Sequence, residues 1–245
     1  KTAWLIMTPD IDPAGYIVKN GLIHIAEDQS ATGTKICVRE KLGLVGMHIV
    51  SRIQSGNGDE WLWSTFEHNL TTPTAGNTRR VNAIFAKDLF PGGCSQPETR
   101  SSQSFILYDA DCPDCATNQP PAADWLWGAV APFARTGDAR PMQPSQIVRC
   151  WSIFEGTSEL NEIWQQELAG TPLANYQLIS TQWRGADKSP MFEHGEVPRF
   201  LTNTTMETYL QADNEGTCLG CHAEAETAAG EDANFTFLFQ SVLND

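Results

Sequence analysis

The chain has 245 residues and a formal charge of −14, from 30 Asp and Glu against 16 Lys and Arg. That excess of carboxylates argues against nucleic acid and anionic membrane as partners, and fits a basic protein partner or a solvated acidic surface. Hydrophobic residues at 41% and charged residues at 19% describe a globular chain able to bury a substantial core, and no apolar run approaches the about 20 residues that cross a bilayer as a helix.

Residues 1–70 read as β-rich. TAWLIM, YIVKNGLIHIA, KICVRE, LGLVGMHIVSRI and EWLWSTFEH are short runs dense in β-branched and aromatic residues. The opening KTAWLIM is strand-like at once, without the charged start and cleavage site of an export signal. A processed or truncated N-terminus is therefore expected. SGNGDE at 55–60 suits a hairpin loop, so the runs on either side should pair antiparallel. Strand alternation then puts Leu44, Gly46 and His48 on one face, and Leu62, Ser64, Phe66 and His68 together on a face of the next strand.

Between 71 and 145 the chain is irregular and rich in Pro, Gly and polar residues, as in PGGCSQPET and DCPDCATNQPPAADW. Such a region inside a compact domain is functional or pinned by cross-links. PSQIVRCWSIF and TSELNEIWQQEL carry apolar residues at three- and four-residue spacings and predict helix, with Thr157 or Ser158 capping the second. NYQLISTQW returns to extended chain. FLTNTTMETYLQ, 200–211, predicts a helix capped near Asn203.

Seven cysteines occur, at 37, 94, 112, 115, 150, 218 and 221. The last two stand in Cys218-Leu219-Gly220-Cys221-His222, the Cys-x-x-Cys-His spacing of c-type haem attachment. Two thiols form thioethers with the vinyl groups, and the histidine that follows ligates iron. Gly220 leaves room for the porphyrin. The motif therefore predicts one covalent haem c on Cys218, Cys221 and His222, against the plain alternative of a chance match or a redox or zinc Cys-x-x-Cys. The other five, Cys37, Cys94, Cys112, Cys115 and Cys150, are disulfide candidates. Cys112-Pro-Asp-Cys115 lacks a following histidine and should hold no haem. It can bond outward to Cys94 and to Cys37 or Cys150, close on itself, join Cys94 and Cys150 in a zinc site, or serve as a catalytic dithiol. Haem attachment and disulfides both belong outside the cytoplasm, which predicts a periplasmic or extracellular protein.

The group opposite His222 decides between electron transfer and chemistry at the iron. His48, with Gly43 and Gly46 removing bulk beside it, and His68 are the candidate distal ligands. Each also has an ordinary reading as a hydrogen-bonded core histidine. Met206 is a weaker candidate, with helix packing as its plain reading. His24 reads as a strand residue and His194 as a loop residue. Trp61, Trp63, Trp125, Trp127 and Trp183 are candidates for lining the haem, and core packing is the common use of tryptophan.

Taken together, KTAWLIM, GLVGMHIV, WLWSTFEHNL, YQLISTQW, LTNTTMETYLQ, CLGCH and ANFTFLF resemble, in order, a group of bacterial secreted or periplasmic cytochrome c family proteins. The resemblance covers about a third of the chain and leaves 70–145 unmatched. It implies haem c, export, and places for His48 and His68 in the haem environment. It also implies sequence upstream of the first strand, so that this chain would be the C-terminal portion of a longer precursor.

Too little chain follows the motif for a small all-α cytochrome c. The expected fold is α+β: one haem c-binding domain over 1–245, with a β-rich part at 1–70, an irregular cross-linked region at 71–145 and a helical haem-carrying part at 146–245. The haem would pack between the strand pair 42–68 and the helix 200–211. The expected function is extracytoplasmic electron transfer by a monohaem c-type cytochrome with a basic redox protein partner. The alternatives are a haem c enzyme of peroxidase or oxidoreductase type, with an open distal site and His48, His68 or Glu67 as acid–base group, and a small-ligand sensor.

Overall fold

The computed structural model describes residues 1–55, 58–79, 94–98, 104–112, 114–119, 125–127, 134–135, 146–183, 201–211, 218–222, 225–233 and 236–237. Its N-terminal part is an antiparallel sheet and its helical segments follow, so the fold is α+β and not all-α. Strands β1 (Thr2–Ile6), β2 (Val18–Ile25), β3 (Ile36–Ser55) and β4 (Gly58–His68) come first. The runs KICVRE and LGLVGMHIVSRI join into the single 20-residue β3. One edge of β3 pairs with β2 over Ile36–Gly43 and then with β4 over Gly46–Ser55, while β1 lies along the other edge. The later strand β9 (Tyr176–Trp183) adds to β4 and completes a five-stranded sheet.

The region after β4 contains β5 (Thr74–Arg79), β6 (Trp125–Leu126), β7 (Ala134–Arg135) and β8 (Arg149–Trp151). The sequence predicts helix across β8, and the structure has extended chain paired parallel to β5. Every residue from Gln146 to Trp151 is buried. A surface helix would expose part of such a run, whereas a core strand with β-branched Ile147 and Val148 buries both of its faces. Disulfides join Cys94 to Cys150 and Cys112 to Cys115. The first spans 56 residues of sequence and, by loop-closure entropy, stabilises the fold by about 4 kcal/mol. The four cysteines of the zinc alternative are thus spent in pairs. Cys37, the fifth candidate, is in neither bond: it is an exposed thiol on β3 opposite His24, away from the buried strand that carries Cys150.

Helix α1 (Glu155–Glu167) starts at Phe154, before Thr157 and Ser158, and neither of those residues caps it. Its inward contacts are polar. Asn161 donates to Leu178 O (2.8 Å) and accepts from Leu178 N (2.8 Å), and Gln165 donates to Tyr176 O (3.1 Å), so the helix satisfies the free edge of β9. The apolar residues whose spacing predicts the helix, Leu160, Ile163 and Trp164, are exposed. Among the described residues no helix is long and apolar enough to cross a membrane.

The segment 200–211, predicted as a helix, is not one. From Leu201 it runs as a strap across the sheet, with a turn at 204–206 and one 3₁₀ turn at Thr208–Leu210. Asn203, Thr204 and Thr205 are poor helix formers whose side chains compete for backbone partners. Here they find better partners on the sheet.

Candidate functional site

The Cys-x-x-Cys-His motif forms the one-turn helix α2 (Cys218–His222). It rests on the sheet face presented by the odd-numbered residues of β4. On that face Trp61, Trp63, Thr65 and Glu67 pair with Arg52, Val50, His48 and Gly46 of β3, and Gln182 of β9 pairs with Trp63. Leu219 packs in a buried cluster with Trp63, against which Trp61 and Cys218 lie. The Leu219 N–H donates to Gln182 Oε1 (3.0 Å), and Gln182 is buried. The His222 ring lies 4.2 Å from the Trp63 ring, tilted by 45°, and 5.1 Å from the ring of Phe237. Backbone helix thus brings both cysteines and the histidine into one turn, and a tryptophan floor holds that turn.

The strap fixes the chain leading to the motif. Asn203 Nδ2 donates to Thr65 Oγ1 (2.8 Å) and to Phe66 O (3.0 Å). Glu67 accepts from Thr204 N, from Thr204 Oγ1 (2.9 Å) and from Arg149. The ion pair with Arg149 is buried and crosses from β4 to β8. Glu207 accepts from Asn203 N (2.9 Å) and meets His48 Nε2 at 2.8 Å. Gln211 ends the strap by mimicking a strand. It accepts from Cys150 N (3.0 Å), donates to Val148 O (2.9 Å), and its carbonyl accepts from Trp151 Nε1 (2.7 Å).

His48 and His68 occupy opposite faces. His48 shares its face with Trp63 and the motif, and its cross-strand partner Thr65 is two residues from Trp63, about 7 Å along the strand. His68 faces the other way. Its ring stacks on Tyr16 (4.3 Å, 11°) and meets Tyr176 edge-on (5.2 Å). Its Nε2 bonds Gly15 O (3.1 Å) and its Nδ1 accepts from Leu70 N (3.2 Å). Burial away from water holds the His68 pKa below the usual imidazole value, opposed by the bond to Gly15. The same desolvation raises both tyrosines, with Tyr176 partly offset by the Ile17 N–H that its hydroxyl accepts. Met206 is half-buried in the strap turn. His24 is exposed on β2, and His194 lies outside the described residues.

The two glycines beside His48 do not open a slot for a macrocycle. A Cβ on Gly46 would strike Thr205 Oγ1 and stand 3.0 Å from Asn203 Oδ1, so the strap fills that space. One on Gly43 would strike Met7 and stand 3.3 Å from the Tyr16 ring, on the His68 side.

Two nitrogens near the motif fit a bound prosthetic group. Trp63 Nε1 and His48 Nδ1 are buried and have no hydrogen-bond partner among the described residues, and Trp63 is only 8% exposed. A buried donor or acceptor left unpaired costs about 1–3 kcal/mol, so each suits a partner absent from the polypeptide. Two thiols and a following imidazole are the donor set that a c-type haem would use. Among the described residues no group of three His, Cys, Asp or Glu is placed to hold a metal ion.

Sequence reading assigns Gln182 and Arg149 no part in the site, and places Asn203 and Gln211 there only as members of the expected helix 200–211. Asn203 and Gln182 are polar residues in segments read from their apolar pattern, and only the tertiary fold shows that they are buried and bonded. No family model matches the chain, and neither does any curated protein or solved structure.

Proposed function

We propose that this chain is an exported monohaem c-type cytochrome that transfers electrons. The observation that carries the reading is the α2 turn, in which Cys218, Cys221 and His222 share one turn of helix, with Cys218 against the buried Trp63–Leu219 cluster and the His222 ring on Trp63. Cys218 and Cys221 would form the thioethers and His222 would ligate iron. Bound there, the haem supplies a one-electron couple whose potential depends on axial ligand, hydrogen bonding and burial. Trp63 packs against the His222 ring and limits how far the imidazole can turn.

Electron transfer is favoured over catalysis because two of the three acid–base candidates, Glu67 and His68, are already occupied, and the third, His48, is taken here as the distal ligand. Glu67 is committed to Arg149 and Thr204, and both ring nitrogens of His68 have partners. Of the two distal candidates, His48 is supported by its face, its unpartnered Nδ1 and its bond to Glu207, which would orient the ring as carboxylates orient metal-bound histidines. The net charge of −14 suits a basic redox partner whose association weakens with salt. The disulfides and the haem motif belong to the same oxidising compartment outside the cytoplasm.

The test is maturation with a haem-attachment system followed by mass spectrometry and absorption spectroscopy. One haem should be covalently bound to the peptide containing Cys218 and Cys221. Colourless protein with an unmodified peptide would overturn the reading. In the matured protein, His48→Ala should change the Soret and visible bands, and His68→Phe should leave them unchanged.

A further inference from the structure

The second Cys-x-x-Cys has no part in the site above. We infer that the Cys112–Cys115 pair is a thiol–disulfide exchange site for an external dithiol, separate from the haem motif and independent of whether haem is bound.

The two disulfides differ in what they do for the fold. Cys94 and Cys150 are buried and separated by 56 residues, so their bond ties the irregular region to β8. Asn118 Nδ2 covers Cys150 Sγ at 3.1 Å. Cys112 and Cys115 are three residues apart, so their bond closes a minimal ring and connects no distant elements. Both are partly exposed. Exchange needs in-line approach of a thiolate to a disulfide sulfur, and access separates labile bonds from structural ones.

The turn that carries the ring is held without it. Cys112 N donates to Asp109 O (3.2 Å), Cys115 N to Cys112 O (3.1 Å) and Asp111 N to Asp109 Oδ1 (2.9 Å). Gln96 Nε2 donates to Cys115 O (2.8 Å) while its Oε1 accepts from Tyr108 OH (2.7 Å), and Gln146 Nε2 donates to Asp109 O (2.9 Å). With the sulfur–sulfur bond open, these contacts keep the two cysteines side by side, their Cα atoms 5.4 Å apart in the disulfide form. The ring can therefore open and close without unfolding the region.

In the exchange, one thiolate of the external dithiol attacks a ring sulfur. A mixed disulfide forms, and the other ring sulfur leaves as a thiolate that takes a proton. The second thiol of the reagent then displaces the first ring sulfur, which is protonated in turn. Two electrons and two protons pass to the ring, and the external dithiol becomes a disulfide. The reverse reaction makes the reduced pair a donor.

The test exposes the folded, mature protein to graded ratios of reduced to oxidised dithiothreitol, followed by acid quench, differential alkylation and peptide mass spectrometry. Cys112 and Cys115 should take label at least about ten times faster than Cys94 and Cys150. When the protein is re-oxidised with excess oxidised reagent before the quench, they should no longer take label, with the far-UV circular dichroism unchanged. Cys115→Ser, reacted with bis(2-hydroxyethyl) disulfide, should accumulate a mixed disulfide on Cys112 that the reduced wild type resolves. Labelling of all four cysteines together, labelling only in denaturant, or no mixed disulfide on the variant would each overturn the inference. Haem on Cys218 and Cys221 is read from the same digest, so the two readings fail separately.

Discussion

The two faces of the main sheet each carry a histidine near the haem motif in sequence expectation, and they use it in opposite ways. Around His68 every polar atom of the ring is answered by backbone and the ring is boxed by Tyr16 and Tyr176. Around His48 the surroundings are ionic and hydroxylic, running from Glu207 through Asn203 and Thr204 to Glu67 and Arg149, and one ring nitrogen is left without a partner. A histidine whose nitrogens are both satisfied by the chain holds structure together. One with a buried nitrogen to spare, on the face that receives the Cys-x-x-Cys-His turn, has capacity for a ligand.

The contrast can be broken in order of size. Arg149→Ala removes one partner of a buried pair and leaves Glu67 charged in the core. It should lower unfolding stability by about 3–5 kcal/mol, read as a fall in the urea midpoint, with the strap side of the sheet losing hydrogen-exchange protection first. His68→Ala removes the stacked ring and strands Leu70 N, while Gly15 O keeps Asn175 Nδ2 (2.9 Å), at a cost of about 3 kcal/mol in the same assay. Because this loss lies on the other face, protection of Asn203 and Thr204 amides should persist at low denaturant. Gly46→Ala drives a Cβ into Thr205 and should cost about 2 kcal/mol by displacing the strap.

The next effect is one of pH. Burial lowers the His68 pKa in the folded state, so as pH falls below about 6.5 the unfolded chain binds a proton that the folded chain refuses. Stability is therefore full above that pH and declines below it, by at most about 1.4 kcal/mol per pH unit, until the folded pKa is passed. Tyr16 and Tyr176 have raised pKa values and stay neutral throughout this window. His68→Phe keeps an aromatic ring in the box and should flatten this part of the stability–pH curve. Smallest is His24→Ala. Its side chain is exposed on β2, and the urea midpoint should move by no more than about 0.5 kcal/mol equivalent.

Much of the sheet was legible because strand alternation is a local signal. LGLVGMHIV and WLWSTFEH carry it strongly, and the hairpin between them pairs in the register their lengths allow. YQLISTQW is likewise strand, as β9. Where local pattern misled, long-range partners had overruled it. PSQIVRCWSIF has helical spacing, but burial on every side and the tie from Cys150 to Cys94 favour extended chain. FLTNTTMETYLQ looks helical until Glu67 and Thr65 are available to bond Asn203 and Thr204. In α1 the apolar spacing correctly marks the helix, and its contacts to the sheet are polar. The polar Asn161 and Gln165 face the sheet because β9 is an edge whose backbone needs partners.

The Cys-x-x-Cys-His spacing at 218–222 is carried by the sequence alone, and a single turn of chain satisfies it. The strand character of residues 2–68 is likewise local, arising from β-branched and aromatic residues in alternation. The tertiary structure decided which histidine shares a face with that motif, which cysteines join, and that a polar strap covers Gly46 where a helix was expected. Those outcomes depend on strand register and on hydrogen-bond partners more than a hundred residues away, such as Glu67 with Thr204. No window of sequence contains both ends of such a contact.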